Sequence, residues 1–231
     1  MIKQVEKIRL EDGSIYSGDL DEFTECPHGF GSCTYPDGHR AYGTFIGIPN
    51  GAAYINYDYY MQLGYFTQGL LQGWGMQMGN GDYRFGIYHR GQLIKDCTSL
   101  IEETHMQISH LSQRLRANGI NVRWAHVFKK SHEVYFGVFE KGYKRIGIHF
   151  MPSGDVYIGV SPYSMDITGT FTHLKDSVME TGLFERGALV KQSMILEHTN
   201  YWTEIPLIDE ISFDWKDEQA FEISRLTRDL F

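Results

Sequence analysis

The chain has few cysteines and no long apolar run. Its 231 residues include Cys26, Cys33 and Cys97, an odd and small number that implies no disulfide framework. No window approaches the roughly 18 uncharged apolar residues that a membrane-spanning helix needs. The opening segment MIKQVEKIRL lacks the apolar core of a secretory signal. These absences predict a protein of the reducing cytoplasm.

Clustered basic charge is also missing. The formal net charge is −8, and residues 13–94 carry seven acids against three arginines and no lysine. The last 39 residues carry nine acids against three bases. A local excess of basic residues occurs only at 95–133, a segment that includes Lys129 and Lys130. Nucleic acids and anionic lipids are bound by clustered Lys and Arg. We therefore expect no nucleic-acid partner, and the acidity disfavours membrane lipid.

Signatures of catalysis are absent too. The chain has no His-Glu-x-x-His, no Gly-x-Ser-x-Gly, and no glycine loop followed by Lys-Ser or Lys-Thr. Cys26, His28, Cys33 and His39 lie within 14 residues, but their irregular spacing differs from the tight ligand pairs of zinc sites. The sequence predicts no enzyme activity, no cofactor and no bound metal.

Glycine and aromatic residues are abundant, with 25 Gly, 15 Tyr and 14 Phe. Internal repeats of 20–50 residues mark repeat architectures. A glycine with an aromatic residue within two positions recurs at intervals of 21 to 25 residues in two runs, at Gly18, Gly43, Gly64 and Gly86, and then at Gly137, Gly159 and Gly182. The clearest copy, residues 61–81, reads MQLGYFTQGLLQGWGMQMGNG and adds Gly73 and Gly75 to the repeat glycines.

Each copy has the pattern of a β-hairpin. In the clearest copy the alternating segments Gln62–Phe66 and Trp74–Met78 flank a loop that contains Gly69. One hairpin cannot bury a core by itself, so consecutive hairpins must stack. The prediction is a mainly β protein with an elongated, curved antiparallel sheet. The aromatic residues expected to form an internal ladder are Tyr16, Phe45, Phe66, Phe85, Phe139, Tyr157, Phe171 and Phe184.

The segments GYFTQGLLQGWGMQMGNGD and YFGVFEKGYKRIGIHFMPSGD resemble MORN repeats, whose pattern is approximately YxGxxxxGxxxGxGxxxxxxG. The second copy departs from it with Ala53, and the sixth with Ser164. The resemblance implies stacked hairpins. It divides the chain into a first array at 13–94, a helical connector at 95–133, a second array at 134–192 and a tail at 193–231. MORN arrays also occur beside SET methyltransferase or lipid kinase domains, for which the tail is too short.

Two segments outside the repeats predict helices. One spans residues 99–118, with Ser99 and Glu102 as a capping box, Asn118-Gly119 as the C-terminal cap, and a buried face. That face comprises Ile101, His105, Ile108, Leu111 and Leu115. The second is an amphipathic helix in the tail, which would act either as a fixed cap over the second array or as a displaceable lid. Its capping and apolar residues are Asp214, Asp217, Arg225, Arg228, Trp215, Phe221, Leu226 and Leu230.

The leading functional prediction is a scaffold or adaptor that binds another protein through the face of the hairpin array. Two alternatives stay open. The MORN resemblance also implies association with phosphoinositide membranes, and exposed Tyr and Trp rings could stack on sugars. The candidate interaction residues are Tyr57, Tyr59, Tyr60, Tyr83, Tyr88 and Trp74.

Overall fold

The computed structural model describes residues 1–119, 125–140, 143–164, 167, 169–175 and 178–192. In these residues the fold is mainly β, as predicted, and consists of successive antiparallel hairpins with one helix between two groups of strands. The two groups form two separate sheets. The predicted tail helix lies outside the described residues. No helix in the described ranges has the length and apolar character needed to cross a bilayer.

The first sheet follows chain order without a crossover, so each strand pairs with the next one. Its first strand lies before the predicted first array at 13–94. The array was predicted to begin after this segment because MIKQVEKIRL has no repeat glycine. The nine strands formed by the described residues are β1 (Ile2–Arg9), β2 (Ile15–Asp21), β3 (Pro27–Thr34), β4 (Arg40–Ile46), β5 (Ile48–Asn56), β6 (Tyr60–Thr67), β7 (Leu70–Gly79), β8 (Asp82–His89) and β9 (Gln92–Asp96).

The second sheet is built in the same way and also runs in chain order. Its seven strands among the described residues are β10 (Ala125–Val127), β11 (Val134–Glu140), β12 (Tyr143–Phe150), β13 (Val156–Ser164), β14 (Gly169–Lys175), β15 (Val178–Glu185) and β16 (Ala188–Gln192).

In the clearest copies, a glycine follows the first strand of the hairpin because it occupies the two-residue turn to the second strand. Gln68 and Gly69 between β6 and β7 both have positive φ, +51° and +76°. Arg90 and Gly91 between β8 and β9 repeat this conformation at +49° and +78°. Two consecutive left-handed residues make a type I′ turn, whose twist matches that of a hairpin. The predicted hairpin loops with a glycine five residues after the repeat glycine are therefore confirmed at these positions.

Helix α1 spans Glu102–Ala117 and begins later than the predicted residue 99. The predicted capping box is wrong, because Ser99 lies in a 3-10 turn and Ile101 is the N-cap, without a side-chain hydrogen bond. The C-terminal prediction is confirmed, since Asn118 is the C-cap and Gly119 follows with a φ of +74°. The buried helix residues are Thr104, Ile108, Leu111, Ser112 and Leu115.

Register places the repeat glycines in rows that cross the strands. In the first sheet, directly paired positions from β2 to β8 are Gly18, Gly31, Gly43, Ala53, Gly64, Gly75 and Gly86. In the second sheet, the corresponding row is Gly137, Gly147, Gly159, Phe171 and Gly182. We call the side of each sheet that carries its row the glycine face. Because side chains alternate along a strand, residues two positions from a row glycine also lie on this face.

Large aromatic side chains pack over the row glycines. Tyr16 and Tyr135 lie two positions before a row glycine, and both side chains are fully buried. The core on the glycine face of the first sheet consists of Tyr16, Leu20, Cys33, Ala41, Phe45, Ala53, Ile55, Phe66, Leu71 and Tyr88. Of the predicted ladder, Phe139 is only partly buried, whereas the other seven residues are buried.

In β8, Phe85 is buried as predicted, although not on the glycine face, whereas the prediction that Tyr88 is exposed is wrong. Phe85 directly precedes Gly86, so it lies on the opposite face, where its ring stacks on Trp74 with a centroid separation of 5.2 Å. Tyr88 lies two positions after Gly86 and therefore belongs to the core of the glycine face, where it is 1% exposed. Tyr88 replaces Phe85 in the ladder and is unavailable to a partner.

The opposite face of the first sheet contacts the second sheet and α1. The Tyr65 hydroxyl donates to the backbone oxygens of His132 and Phe150, at 2.7 and 3.2 Å. The Phe85 and Phe150 rings are also in contact, with centroids 6.1 Å apart. Burial raises the pKa of Tyr65, with the nearby Glu133 adding to the effect. The glycine face of the first sheet therefore lies on the side away from these contacts.

Candidate interaction surface

Four stacked rings form a continuous row along one end of the first sheet, on the glycine face. Tyr35 stacks on His39, His39 on Tyr57, and Tyr57 on Tyr60, with centroid separations of 4.0, 5.1 and 4.3 Å. The ring planes differ by only 12° to 22°. Backbone hydrogen bonds close the two turns that carry these rings, Tyr35 to His39 and Tyr57 to Tyr60. We call these residues the ring row.

All four residues of the ring row are partly exposed. Burial raises the pKa of Tyr57, and the neighbouring Tyr60 adds to this shift. Tyr35 and Tyr57 also pack against the buried core of the glycine face. Tyr35 and Tyr57 are therefore anchored in the protein, while all four residues keep part of their surface in solvent.

The ring row ends at a position without a side chain. Tyr60 pairs with Gly79 on β7, and Gly79 pairs with Asp82 on β8. An open pocket of about 290 Å³ occupies this place and is lined by residues that include Tyr60, Gln77, Gly79, Asp82 and Arg84. Tyr60 thus stacks on Tyr57 and also lines this pocket.

Exposed carboxylates accompany the ring row. The turns at this end of the first sheet join β1 to β2, β3 to β4, β5 to β6 and β7 to β8. An exposed aspartate lies in each of the first three turns (Asp12, Asp37 and Asp58), and Asp82 directly follows the fourth as the first residue of β8. The pocket contains one cation, Arg84, whose Nε lies 3.9 Å from Asp82 Oδ2, with both side chains more than 60% exposed. Arg9 and Arg40 are also exposed at this end of the sheet, so the surface around the ring row carries charges of both signs.

The six aromatic residues predicted as an interaction surface do not share one face. Tyr57 and Tyr60 belong to the ring row, and Tyr59, in the turn between them, is 75% exposed. Tyr83 lies on the opposite face, where it stacks on His105 of α1 at 3.9 Å. As described above, Trp74 stacks on Phe85 on that face and Tyr88 is buried. Of the six predicted residues, Tyr57, Tyr59 and Tyr60 therefore remain as candidates on this surface. Tyr35 and His39, which stack with them, were not predicted from the sequence.

The four residues considered for zinc point to different environments. Cys33 belongs to the buried core, His39 is stacked between Tyr35 and Tyr57, and Cys26 and His28 are exposed. Among the residues that the structure describes, no group of three or more His, Cys, Asp or Glu side chains could hold a metal ion.

A buried ionic cluster in the second sheet was also missed by sequence reasoning. Lys144 Nζ donates to both Glu133 carboxylate oxygens, at 2.8 and 2.7 Å, and His149 Nδ1 contacts one of them at 2.5 Å. All three residues are at most 5% exposed. Lys144 also lies over the Phe128 ring, 4.4 Å from its centroid. The sequence signal was a lysine within the apolar strand YKRIGIHF.

The charges within this cluster offset each other, as expected for a buried ion pair with a structural role. Burial lowers the pKa of His149, which keeps the imidazole neutral beside the ion pair. Burial alone would raise the pKa of Glu133, but His149 and Lys144 outweigh it and hold that pKa below its ordinary value. One carboxylate and one ammonium therefore neutralise each other in the interior.

In comparisons with known proteins, no family model matches the chain and no curated protein matches it significantly. The likeness to MORN repeats therefore rests on the glycine and aromatic spacing in the sequence and on the successive hairpins.

Proposed function

We propose that this protein is a non-catalytic, MORN-type repeat scaffold that binds another protein through the end of the first sheet that carries the ring row. The observation that supports this most is the partly exposed ring row together with the exposed Tyr59 in one of its turns. Rigid aromatic side chains that combine an apolar ring with a polar group are frequent hot spots of protein interfaces. We expect the scaffold to act in the cytoplasm.

The architecture supports a binding role in a second way. The rings of the ring row stack on one another, and Tyr35 and Tyr57 pack against the buried core, so the exposed parts of the rings are held in place before a partner arrives. Preorganised side chains lose little conformational entropy on association, which favours affinity. A row that crosses several strands also gives an extended partner segment contacts with more than one hairpin.

The experiment that tests this proposal compares two exposed aromatic residues at opposite ends of the sheet. Tyr59 is 75% exposed beside the ring row, and Phe23 is 84% exposed in the turn between β2 and β3. We expect proteins captured from a cell extract by the wild-type chain to be retained by Phe23→Ser and lost by Tyr59→Ser. Quantitative mass spectrometry of the captured proteins gives the readout. Capture that does not distinguish the two variants would contradict a partner site at the ring row.

The membrane alternative gives a separate outcome in vesicle flotation. The exposed aspartates beside the ring row repel anionic headgroups. We therefore expect no flotation of the chain with vesicles that contain phosphatidylinositol bisphosphate. Flotation that requires this lipid would favour the alternative over the scaffold.

A further inference from the structure

We infer that Asn80 is a site of spontaneous covalent modification, at which the side-chain amide is lost and a carboxylate forms in the turn between β7 and β8. The reacting group is the Asn80-Gly81 unit of the chain itself, and water is the co-reactant. The reaction needs neither an enzyme nor a partner, so it is independent of the proposed scaffold function.

The chemistry is that of an asparagine followed by a glycine. The glycine backbone nitrogen attacks the side-chain carbonyl carbon of the asparagine and forms a C–N bond. The side-chain amino group takes up the proton of that nitrogen and leaves as ammonia. One water then opens the cyclic imide at either of its two carbonyl groups, which gives aspartate or isoaspartate. Glycine favours the attack because it has no Cβ to hinder the approach of its nitrogen.

The sequence contains three Asn-Gly pairs, which begin at Asn50, Asn80 and Asn118. Because each asparagine is followed by the same residue, the structure around each pair decides which one reacts first. Ring closure requires that the backbone rotate and that the side-chain amide and the glycine nitrogen be released from other contacts. Each hydrogen bond on these groups therefore slows the reaction.

Asn118 is held at both reacting groups. Its side-chain Nδ2 donates to the Arg114 backbone oxygen at 2.8 Å, and the Gly119 N–H donates to the Arg116 backbone oxygen at 3.0 Å. Both hydrogen bonds belong to the C-terminal end of α1, and both must break before the nitrogen can attack. Two bonds of ordinary net strength reduce the population of the reactive form by roughly ten-fold.

Asn50 is held in another way, because it lies inside strand β5. Its side-chain oxygen accepts the Gln68 N–H at 3.2 Å, and the following residue, Gly51, pairs with Phe66 on β6. Attack by the Gly51 nitrogen therefore requires that β5 separate locally from its neighbour.

Asn80 has none of these restraints. It is exposed in the two-residue turn, and neither its side chain nor the Gly81 N–H makes a hydrogen bond to any residue that the structure describes. Gly79 precedes it and Gly81 follows it, so both flanking residues rotate easily. The turn also has room for the ring, since a Cβ added at Gly81 would meet no atom within 4 Å.

The product changes the pocket at Gly79. Asn80 lines this pocket together with Asp82 and Arg84, so the new carboxylate is a second acid beside one arginine. It adds one negative charge to a formal net charge of −8. Isoaspartate also lengthens the main chain by one carbon atom, in a turn of only two residues that joins Gly79 to its partner Asp82. Charge and turn geometry at this end of the first sheet therefore change as the protein ages.

The test incubates the full chain in mildly alkaline buffer, both folded and in concentrated urea, and follows the three Asn-Gly pairs by peptide mass spectrometry. Replacement of the amide NH2 by OH gives the mass change, and an isoaspartate-specific methyltransferase labels the isoaspartate. Dividing each folded-state rate by the rate in urea removes the effect of neighbouring sequence. We expect this ratio to be at least about ten-fold larger for Asn80 than for Asn118, and larger than for Asn50. A ratio for Asn80 that does not exceed the other two would overturn the inference.

Two matched variants assign the first event to its residue. Asn80→Asp has no amide to lose and keeps a residue type that tolerates the left-handed conformation of this turn. Asn118→Asp is the control, and circular dichroism checks that both variants are folded. We expect the early release of ammonia, and the early acidic species in anion-exchange chromatography, to disappear in Asn80→Asp and to persist in Asn118→Asp. The opposite pattern would also overturn the assignment.

Discussion

The Tyr16 ring lies directly over Gly31 on the neighbouring strand. A Cβ atom built at Gly31 would lie only 2.6 Å from Tyr16 Cζ and 2.8 Å from the backbone oxygen of Ser17. The hydroxyl of the same ring donates to the Asp19 backbone oxygen at 2.8 Å. This arrangement explains why aromatic residues and glycines occur together in the repeat. The glycine row provides the space in which the aromatic side chain lies flat on the sheet.

We predict that Gly31→Ala lowers the free energy of unfolding by about 1–3 kcal/mol, because an added methyl group in a packed core forces neighbouring atoms to shift. Urea denaturation measures the loss. In a Tyr16→Leu background the same substitution should cost less, because the phenol ring is gone. Strictly additive losses in the double variant would contradict the packing of Tyr16 over Gly31.

Gly73 and Gly75 should respond oppositely to asparagine, although both are repeat glycines. Gly73 has a φ of +74° and open space where a Cβ would lie, so glycine is required there by the backbone conformation and not by lack of space. Asparagine tolerates this conformation. Gly75 faces the buried Leu71 side chain, 2.8 Å from a Cβ position. We predict a small loss of stability for Gly73→Asn and a large one for Gly75→Asn in thermal melting. Equal losses would contradict this assignment.

Removing one partner of the buried ion pair should be costly. Lys144→Met leaves the Glu133 carboxylate in the interior without its ammonium partner, and we predict a loss of about 3–5 kcal/mol in unfolding free energy. The double variant Glu133→Gln with Lys144→Met should recover part of that loss. Lys129→Met is the matched control, because Lys129 is partly exposed and lies 3.6 Å from Asp19. It should cost less than about 1 kcal/mol. A similar cost for both lysines would contradict the buried pair.

Stability should decrease on acidification through the range in which histidine titrates. Burial lowers the pKa of His149 below the ordinary value of 6.5, so the unfolded chain takes up a proton that the folded chain does not. The stabilisation is complete above pH 6.5 and declines as the pH falls. His105 has the same direction of shift, also from burial. We predict that His149→Gln flattens the dependence of the melting temperature on pH between 7.5 and 5.5. An unchanged slope would contradict a neutral buried imidazole.

The hairpin architecture was predictable because glycine and aromatic spacing is a local property of each repeat. Within one copy, Gly64 and Gly75 belong to the glycine row, and Gly69 lies in the turn between their strands. The side of the sheet on which each aromatic residue lies was less predictable, because it depends on strand register and not only on proximity to glycine. Phe85 and Tyr88 show this, since a single-residue difference in spacing reverses the face. The sequence also could not show that the two arrays form separate sheets.

The candidate site was predictable only in part. Tyr57, Tyr59 and Tyr60 were predicted as interaction residues, and they lie close together in the chain, at the turn between β5 and β6. Tyr35 and His39 join them through a turn of a different hairpin, which requires knowledge of how hairpins align. The cluster of Glu133, Lys144 and His149 depends on strand pairing between β11 and β12, where a bulge lies between Val138 and Phe139. That bulge places Lys144 on the same face of the sheet as His149. Regular alternation of side chains along β12 would place these two residues on opposite faces.

The uninterrupted chain order of both sheets has a consequence for how the protein forms. Within each sheet, every strand pairs with the strand adjacent in sequence, so the loops closed while a sheet forms are short and their entropic cost is low. Each hairpin is stabilised mainly by the hairpins on either side, as in a linear chain of coupled units. Amide exchange should therefore be slowest in the central hairpins of the first sheet and should quicken toward β1 and β9. Such a protein can open from its outer strands while its middle stays folded.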